Sequence, residues 1–464
     1  MNCRERHDEW AHRTFGHAQL GDRRRVQRLI AMAARVSERP AGVVTQVFDN
    51  DAEREGAFRL LESDAVSADA LRKAAFAATS RTCHGSRRLY VAVDGSSLTL
   101  KDRLLRREIG RVGTLRPSRG LQVMSALAVD EHGTALGLLD QRWWARDHAP
   151  LRRKGNDKKC FANRYMEKET RHWVDALTDC SDRLESNAAG TTAWYQLDRG
   201  ADCWPVIDLA LRRGLLITVR ATHDRRLLGP AGEHLHLLSE VRRQPILGRY
   251  QLMVPRRSLP SRLAKIALRS CRVTIYPRVG SKRRQAFTVN VVLAEETGRP
   301  RGDRIRWVLL TTHSVAKLSD AVAVVKGYTF RWRIEDFHRA WKRGLCNVEK
   351  SQLRRRNAII KWATLLAVVA ARALRLAHLR RSARGQPAAL EFTQREIDAC
   401  YILSKREPDR GERALLGEFL DLIANLGGFA NKYSGKHAGP TVIGRGLQAV
   451  MAFARGLKNI DEMR

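Results

Sequence analysis

The chain has 464 residues, 44% of them hydrophobic, and a net charge of +36 from 85 Lys and Arg against 49 Asp and Glu. This length exceeds one compact core and implies roughly two to four domains, and the apolar fraction excludes global disorder. Such a charge repels itself unless a polyanion neutralises it. Nucleic acid, which gives up condensed counterions to Lys and Arg, is the leading partner.

Basic runs recur at Arg23-Arg24-Arg25, Arg152-Arg153-Lys154, Lys282-Arg283-Arg284 and Arg354-Arg355-Arg356, which suggests a long track across several domains. The eight cysteines include no Cys-x-x-Cys pair, and Cys83-His84 has no partner at ligand spacing, so zinc is not expected. Scattered cysteines and an N-terminus without an apolar signal core fit a reducing cytoplasm. The most apolar long stretch, Ile359 to Leu379, contains Lys361, Arg372 and Arg375. It reads as a buried helix, and no membrane partner is expected.

Residues 1–75 read as helical. A basic amphipathic segment runs from Arg23 to Val36 and stops before Pro40 and Gly42. A second helical stretch surrounds Glu53 to Leu61, and Ser67 is a plausible N-cap for a third. Leu89 to Val93 then reads as a strand ending at Asp94, with further strands at Leu121 to Val129 and Thr134 to Trp143. Residues 160–188 read as helix, Thr191 to Leu197 as a strand ending at Asp198, Asp202 to Arg213 as helix and Leu215 to Arg220 as strand. This alternation predicts an α/β core. From about 235 to 310 the pattern is mostly β, with strands at Tyr250 to Val254, Cys271 to Tyr276, Ala286 to Leu293 and Arg306 to Thr311. From about 317 onward it is mostly helical.

Asp94 and Asp198 both close predicted strands, where open α/β sheets place ligand sites. Carboxylates there suit hard divalent cations, although an isolated strand-end Asp more often simply opens a turn. The segment Tyr328 to Lys342 adds weight. Read as one helix, it places Tyr328, Arg331, Glu335, Arg339 and Lys342 in one sector, with Phe330, Ile334, Phe337 and Trp341 opposite. One face would be buried. The other would present a carboxylate among cations and a phenol, which is either an i,i+4 ion pair or a set suited to metal-assisted phosphoryl chemistry.

At these residues the sequence resembles the bacterial cut-and-paste transposases of the insertion-sequence IS-four group, and within it the Tn-five transposase most closely. The group's signature Tyr-x2-Arg-x3-Glu-x6-Lys is present as Tyr328, Arg331, Glu335 and Lys342. An Asp-Arg-x-Ala-Asp element spans Asp198 to Asp202, and the first-Asp strand is Val91-Ala92-Val93-Asp94. Further matches are Leu20-Gly21-Asp22-x-Arg24-Arg25, Glu55 to Arg59, Gly137-Leu138-Leu139, Trp143-Trp144, Arg306 to Thr311 and Leu426 to Phe429.

The resemblance implies an α/β fold: a ribonuclease-H-like catalytic core at 76–365 with a β-rich insertion at about 235–310. A helical DNA-end-binding domain would occupy 1–75 and a helical dimerisation domain 366–464. It implies that Asp94, Asp198 and Glu335 are catalytic and hold two divalent metal ions, Mg²⁺ with Mn²⁺ as substitute. One ion would activate water or a 3′-hydroxyl and the other would stabilise the leaving oxygen. Tyr328, Arg331 and Lys342 would hold phosphates, and Trp307 would receive a base flipped out during hairpin formation. Arg220, His223 and Arg339 align with residues lining the site, and Arg24 and Arg25 with the end-binding module. The partners would be double-stranded DNA (transposon ends and target) and a second copy of the chain, in a bacterial cytoplasm. Two other readings remain open: a catalytically silent DNA-binding derivative or transposition inhibitor, and a structure-specific nuclease that cuts without joining. The tail Gly439 to Leu447 departs from the nearest relative, and so do many N-terminal positions.

Overall fold

The computed structural model describes residues 10–113, 118–146, 169–228, 233–254, 261–276, 278–279, 283–298, 304–406, 414–429 and 438–463. The basic residues Arg152, Arg153, Lys154 and Lys282, and the first part of the helix expected from 160, lie outside them.

Four helices open the chain: α1 (10–15), α2 (Arg23–Glu38), α3 (Asp51–Glu62) and α4 (Ala68–Thr82). Side-chain caps fix three of their starts. Asp22 accepts from the Arg24 N–H at 2.7 Å, Asn50 from Glu53 at 2.8 Å and Ser67 from Asp69 at 3.1 Å. Each cap satisfies a backbone donor that the first helical turn leaves open.

The central part runs β1 (Leu89–Thr99), β2 (Gly110–Val112), β3 (Ser118–Val129), β4 (Ala135–Trp144), α5 (Arg171–Asn187), β5 (Ala193–Leu197), α6 (Trp204–Arg213) and β6 (Leu216–Arg220). β3 is antiparallel to both β1 and β4, while β5 runs parallel to β1 and β6 parallel to β5. The spatial order β4-β3-β1-β5-β6 is the ribonuclease-H-like arrangement, and the fold is α/β as expected.

The β-rich stretch begins earlier than the sequence suggests and contains a short helix. It comprises β7 (Arg226–Leu228), β8 (His234–His236), α7 (Leu237–Arg243), β9 (Gly248–Val254), β10 (Arg262–Ile275), β11 (Arg278–Val279), β12 (Arg283–Arg284), β13 (Phe287–Glu296) and β14 (Arg306–Thr311). β14 pairs antiparallel with β6, so the insertion extends the central sheet instead of standing apart from it. The chain ends in α8 (Leu318–Phe330), α9 (Trp332–Lys342), α10 (Arg356–Ser382), α11 (Gln394–Leu403), α12 (Leu416–Leu426) and α13 (Pro440–Met463).

Alternation along β1 divides its side chains between two cores. Val91 and Val93 pack with Trp173 and Leu177 of α5 and Val206 of α6. Tyr90, Ala92 and Leu98 face the other way, onto Tyr328, Ile334 and Phe337 of α8 and α9. This second core continues through α10 to Leu29, Leu61 and Phe76 of the N-terminal helices. A separate cluster, from Leu376 through Phe419 to Ala454, holds α11, α12 and α13 together. α10 buries most of its length within its own chain, including Lys361, whose Nζ donates to the carbonyls of Leu61 and Ser63 at 2.8 Å. Among the described residues no helix is long and apolar enough to cross a membrane.

Candidate active site

The site begins with a register. The parallel ladder between β1 and β5 ends at the pair Val93–Leu197, so the next residues, Asp94 and Asp198, lie side by side. Asp94 shares its face of the sheet with Tyr90 and Ala92, toward α8 and α9. The strand does not end there. β1 continues to Thr99, because β3 keeps pairing with it from Gly95 to Thr99. Asp94 is therefore mid-strand, at the point where one neighbouring strand stops and leaves a gap. Asp198 does open a turn: its Oδ1 accepts from the Gly200 N–H at 2.7 Å.

Glu335 comes from α9 on the facing layer. The expected single helix over 328–342 is broken at Arg331, where the ladder tightens to i→i−3 bonds: Arg331 N–H to Tyr328, and Ile334 N–H to Arg331, both at 3.2 Å. Phe330, Ile334, Phe337 and Trp341 are buried as expected. So are Tyr328, 2% exposed, and Arg331, 8%, which the sequence placed on the open face. Gly327 allows this layer to sit close to the sheet, because a Cβ there would stand 2.7 Å from the Tyr90 ring and 3.1 Å from Gln196.

The Arg331 guanidinium lies between two of the acids. It donates to Asp94 Oδ2 at 3.1 Å and to Glu335 Oε1 at 2.8 Å. Burial pushes the Asp94 carboxyl up to about 7; Asp198 and Glu335 push the same way, and Arg331 opposes them. Three acids are thus concentrated in one half-buried place with a single buried cation between two of them. Lys342 completes this face, its Nζ 3.3 Å from Ser96 Oγ and 3.8 Å from Glu349 Oε1.

The remaining expected residues divide into two groups. Trp307 on β14 is half-buried, edge-on to Tyr328 at a centroid distance of 5.3 Å. Burial raises the Tyr328 phenol, against the pull of Arg331 and of Arg220, so Arg220 also belongs to this cluster. His223 is exposed in the loop after β6. Arg339 is 70% exposed and pairs with Asp336 at 3.1 Å, an ion pair within its own helix. In the N-terminal module Arg24 is exposed, whereas Arg25 is half-buried and donates to the Leu20 carbonyl at 3.0 Å, which makes it a brace of the turn before α2.

Two acids to which the sequence assigned no role, Asp202 at the end of the Asp-Arg-x-Ala-Asp element and Glu349, hold the site's loops. Asp202, with its side chain fully buried, pairs with Arg225 and accepts from the Thr222 N–H at 2.7 Å, fastening the loop after β6 to the loop after β5. Glu349 accepts from the Thr99 N–H at 2.9 Å and from Arg343 at 2.7 Å, tying the end of β1 to the end of α9. Sequence pattern could not assign these roles, since Asp202 follows a short 3-10 turn and Glu349 sits within another, and their partners are distant in the chain.

Residues 204–371 match the transposase DDE domain family. The chain carries a DDE transposase domain. Residues 7–66 match the transposase DNA-binding family, and the two together mark a DNA transposase. The DDE match contains Glu335, Tyr328, Arg331, Lys342, Trp307, Arg220 and His223, while Asp94 and Asp198 precede it and are set side by side by the β1–β5 ladder.

DDE transposase domains use divalent metals, and the acids here are oxygen donors of the kind Mg²⁺ and Mn²⁺ take. Burial chiefly raises the Asp94 carboxyl, and Asp198 and Glu335 add to the rise, a concentration of negative charge that suits such an ion. Among the described residues, however, no three acidic, His or Cys side chains already converge as a metal-binding cluster. Two of the acids, Asp94 and Glu335, are instead paired with the Arg331 guanidinium.

Proposed function

We propose that the protein is a cut-and-paste transposase of the insertion-sequence IS-four group, acting on the DNA ends of its own element in a bacterial cytoplasm. The observation that carries this is the adjacency of Asp94 and Asp198 at the end of the β1–β5 ladder, with Glu335 linked to Asp94 through Arg331. Asp94, Asp198 and Glu335 would hold two Mg²⁺ ions. When bound, these supply Lewis-acid polarisation of phosphate oxygens and an acidified water or hydroxyl nucleophile.

The chain's own groups do the rest. Lys342 and Arg331 hold phosphates, Arg331 once it leaves the carboxylates. Trp307, braced by Tyr328, offers a ring face to a base unstacked during hairpin formation, where stacking is worth about 1–3 kcal/mol.

A dimer on DNA belongs to the same proposal, though the apolar α10 and the 426–429 segment are both used within the chain. α10 is buried internally, and Phe429 folds back so that its N–H donates to Ala424 at 2.9 Å and its ring lies under Arg380. The exposed Leu390, Ile402 and Leu415 of the C-terminal part carry that idea instead.

The test is a product analysis. Purified protein is mixed with Mg²⁺ and DNA bearing the repeats that flank its element. Hairpins at the ends and joined target products support the proposal. Cutting without joining favours a nuclease, and binding without cutting favours a silent DNA-binding derivative.

A further inference from the structure

The loop joining β1 to β2 carries side chains that the catalytic site does not use. Leu104 and Leu105 are 70% and 69% exposed, the most exposed large hydrophobic residues among those described. Leu105 has a φ of 51°, a left-handed backbone that a bulky residue rarely adopts. The loop is nevertheless firmly tied. Asp102 pairs with Arg119 at 2.8 Å and accepts from the Arg106 N–H at 3.0 Å. The buried Arg107 donates to the carbonyls of Lys101 at 2.9 Å and Ser351 at 3.1 Å, and the Glu108 N–H donates to Arg354 at 3.2 Å. Two leucines are thus held out into solvent on an anchored tip.

Their surroundings are basic. Arg103, Arg106, Arg111, Arg354 and Arg356 are all exposed around the tip. Asp102 is turned inward, and Glu108 is engaged by the Arg356 N–H at 3.0 Å. A second copy of a chain with net charge +36 would bring like charges to this surface. Duplex DNA matches both features, with phosphates for the arginines and an apolar base stack for the leucines.

Resting on the transposase reading, we propose that Leu104 and Leu105 form a wedge that enters the base stack of bound duplex DNA, with Arg103, Arg106 and Arg354 gripping the phosphates beside it. Apolar wedges flanked by cations unstack base steps and bend the duplex. Asp94 and Thr99 are five residues apart on β1, about 17 Å at strand rise. The tip lies one loop beyond, so the wedge meets DNA at a base step set apart from the scissile phosphate.

The experiment uses the full chain and a duplex of the element's flanking repeat, with 2-aminopurine placed one position at a time on either side of the cleavage point. Wild type should raise the fluorescence several-fold at one step, on the element side or on the flank. The double variant Leu104→Ala/Leu105→Ala should lose that rise, and Leu104→Met/Leu105→Met should keep it. An unchanged signal in the alanine variant overturns the proposal. So does a shift in sedimentation with no change in fluorescence, which would assign the leucines to a contact between copies. Nicking in Mg²⁺ is measured in parallel. Nicks without a leucine-dependent signal sink the wedge alone, whereas no nicks from wild type sink the transposase reading beneath it.

Discussion

Arg331 donates to Asp94 across 3.1 Å, although 237 residues separate them in the chain. The same guanidinium bonds Glu335, so one buried cation balances part of the charge that Asp94, Asp198 and Glu335 concentrate. Without it, the carboxylates would repel one another in a poorly solvated place. On the proposed reading the arginine would compete with a metal for Asp94 and Glu335, and its release onto a DNA phosphate would free both acids together.

Replacing Arg331 should separate its two roles. Arg331→Gln should raise the Mn²⁺ affinity of the DNA-free protein by about ten-fold, the effect of removing about 1.4 kcal/mol of repulsion. It should also slow end cleavage, because a phosphate contact is lost. Titration calorimetry with Mn²⁺ checks the first effect. An affinity equal to wild type would mean that the guanidinium does not compete with the cation.

Two buried histidines should set the acid limit of stability. Burial pushes His338 down to about 3, with Lys342 and Arg331 adding to the effect. Burial, with Arg333 and Arg381, pushes His378 down to about 2, where its Nδ1 accepts the Ala135 N–H at 3.1 Å. Both folded values lie below the unfolded value of about 6.5. The unfolded chain therefore takes up protons first as pH falls. Stability is fully present above about pH 6.5 and declines below it, by about 1.4 kcal/mol per pH unit for each histidine. Denaturant unfolding at several pH values should show this slope, reduced by about one proton in His338→Leu. A slope unaffected by that substitution would contradict the assignment.

Asp202 should matter for folding more than for chemistry. It is fully buried against Arg225, and removing one partner of such a pair costs about 3–5 kcal/mol. Asp202→Ala should lower the unfolding midpoint strongly, and the double variant Asp202→Ala/Arg225→Ala should recover part of the loss. A double variant as destabilised as the sum of the two singles would show that the pair is not coupled.

DNA binding should weaken steeply with salt, given the net charge of +36. Between about 50 and 200 mM, a protein contacting six to ten phosphates loses roughly 10³–10⁵ in affinity. Binding isotherms over that range test this, and a flat response would reject the electrostatic account.

Much of the candidate site was legible from sequence because strand formers lead directly into Asp94 and Asp198, and because helical spacing groups Arg331, Glu335 and Lys342. The adjacency of the two aspartates was not, since it depends on the register of β1 against β5, a pairing between segments about a hundred residues apart. The continuation of β1 through Gly95-Ser96-Ser97 was hidden for the same reason: those residues favour turns, and only the antiparallel partner β3 holds them extended. The break at Arg331 escaped because periodicity detects a helical face and not a local tightening of its ladder. α7 is only seven residues long, too short to show a period within a β-rich stretch.

The most direct test is cleavage by Glu335→Gln, which keeps the size of the side chain and removes its charge. End DNA with Mg²⁺ is presented to wild type and variant, and nicking rates are compared alongside binding affinities. The account predicts near-equal binding and a cleavage rate lower by roughly a thousand-fold, the loss of about 4 kcal/mol of transition-state stabilisation. Cleavage by the variant at the wild-type rate would place the cutting site elsewhere in the chain.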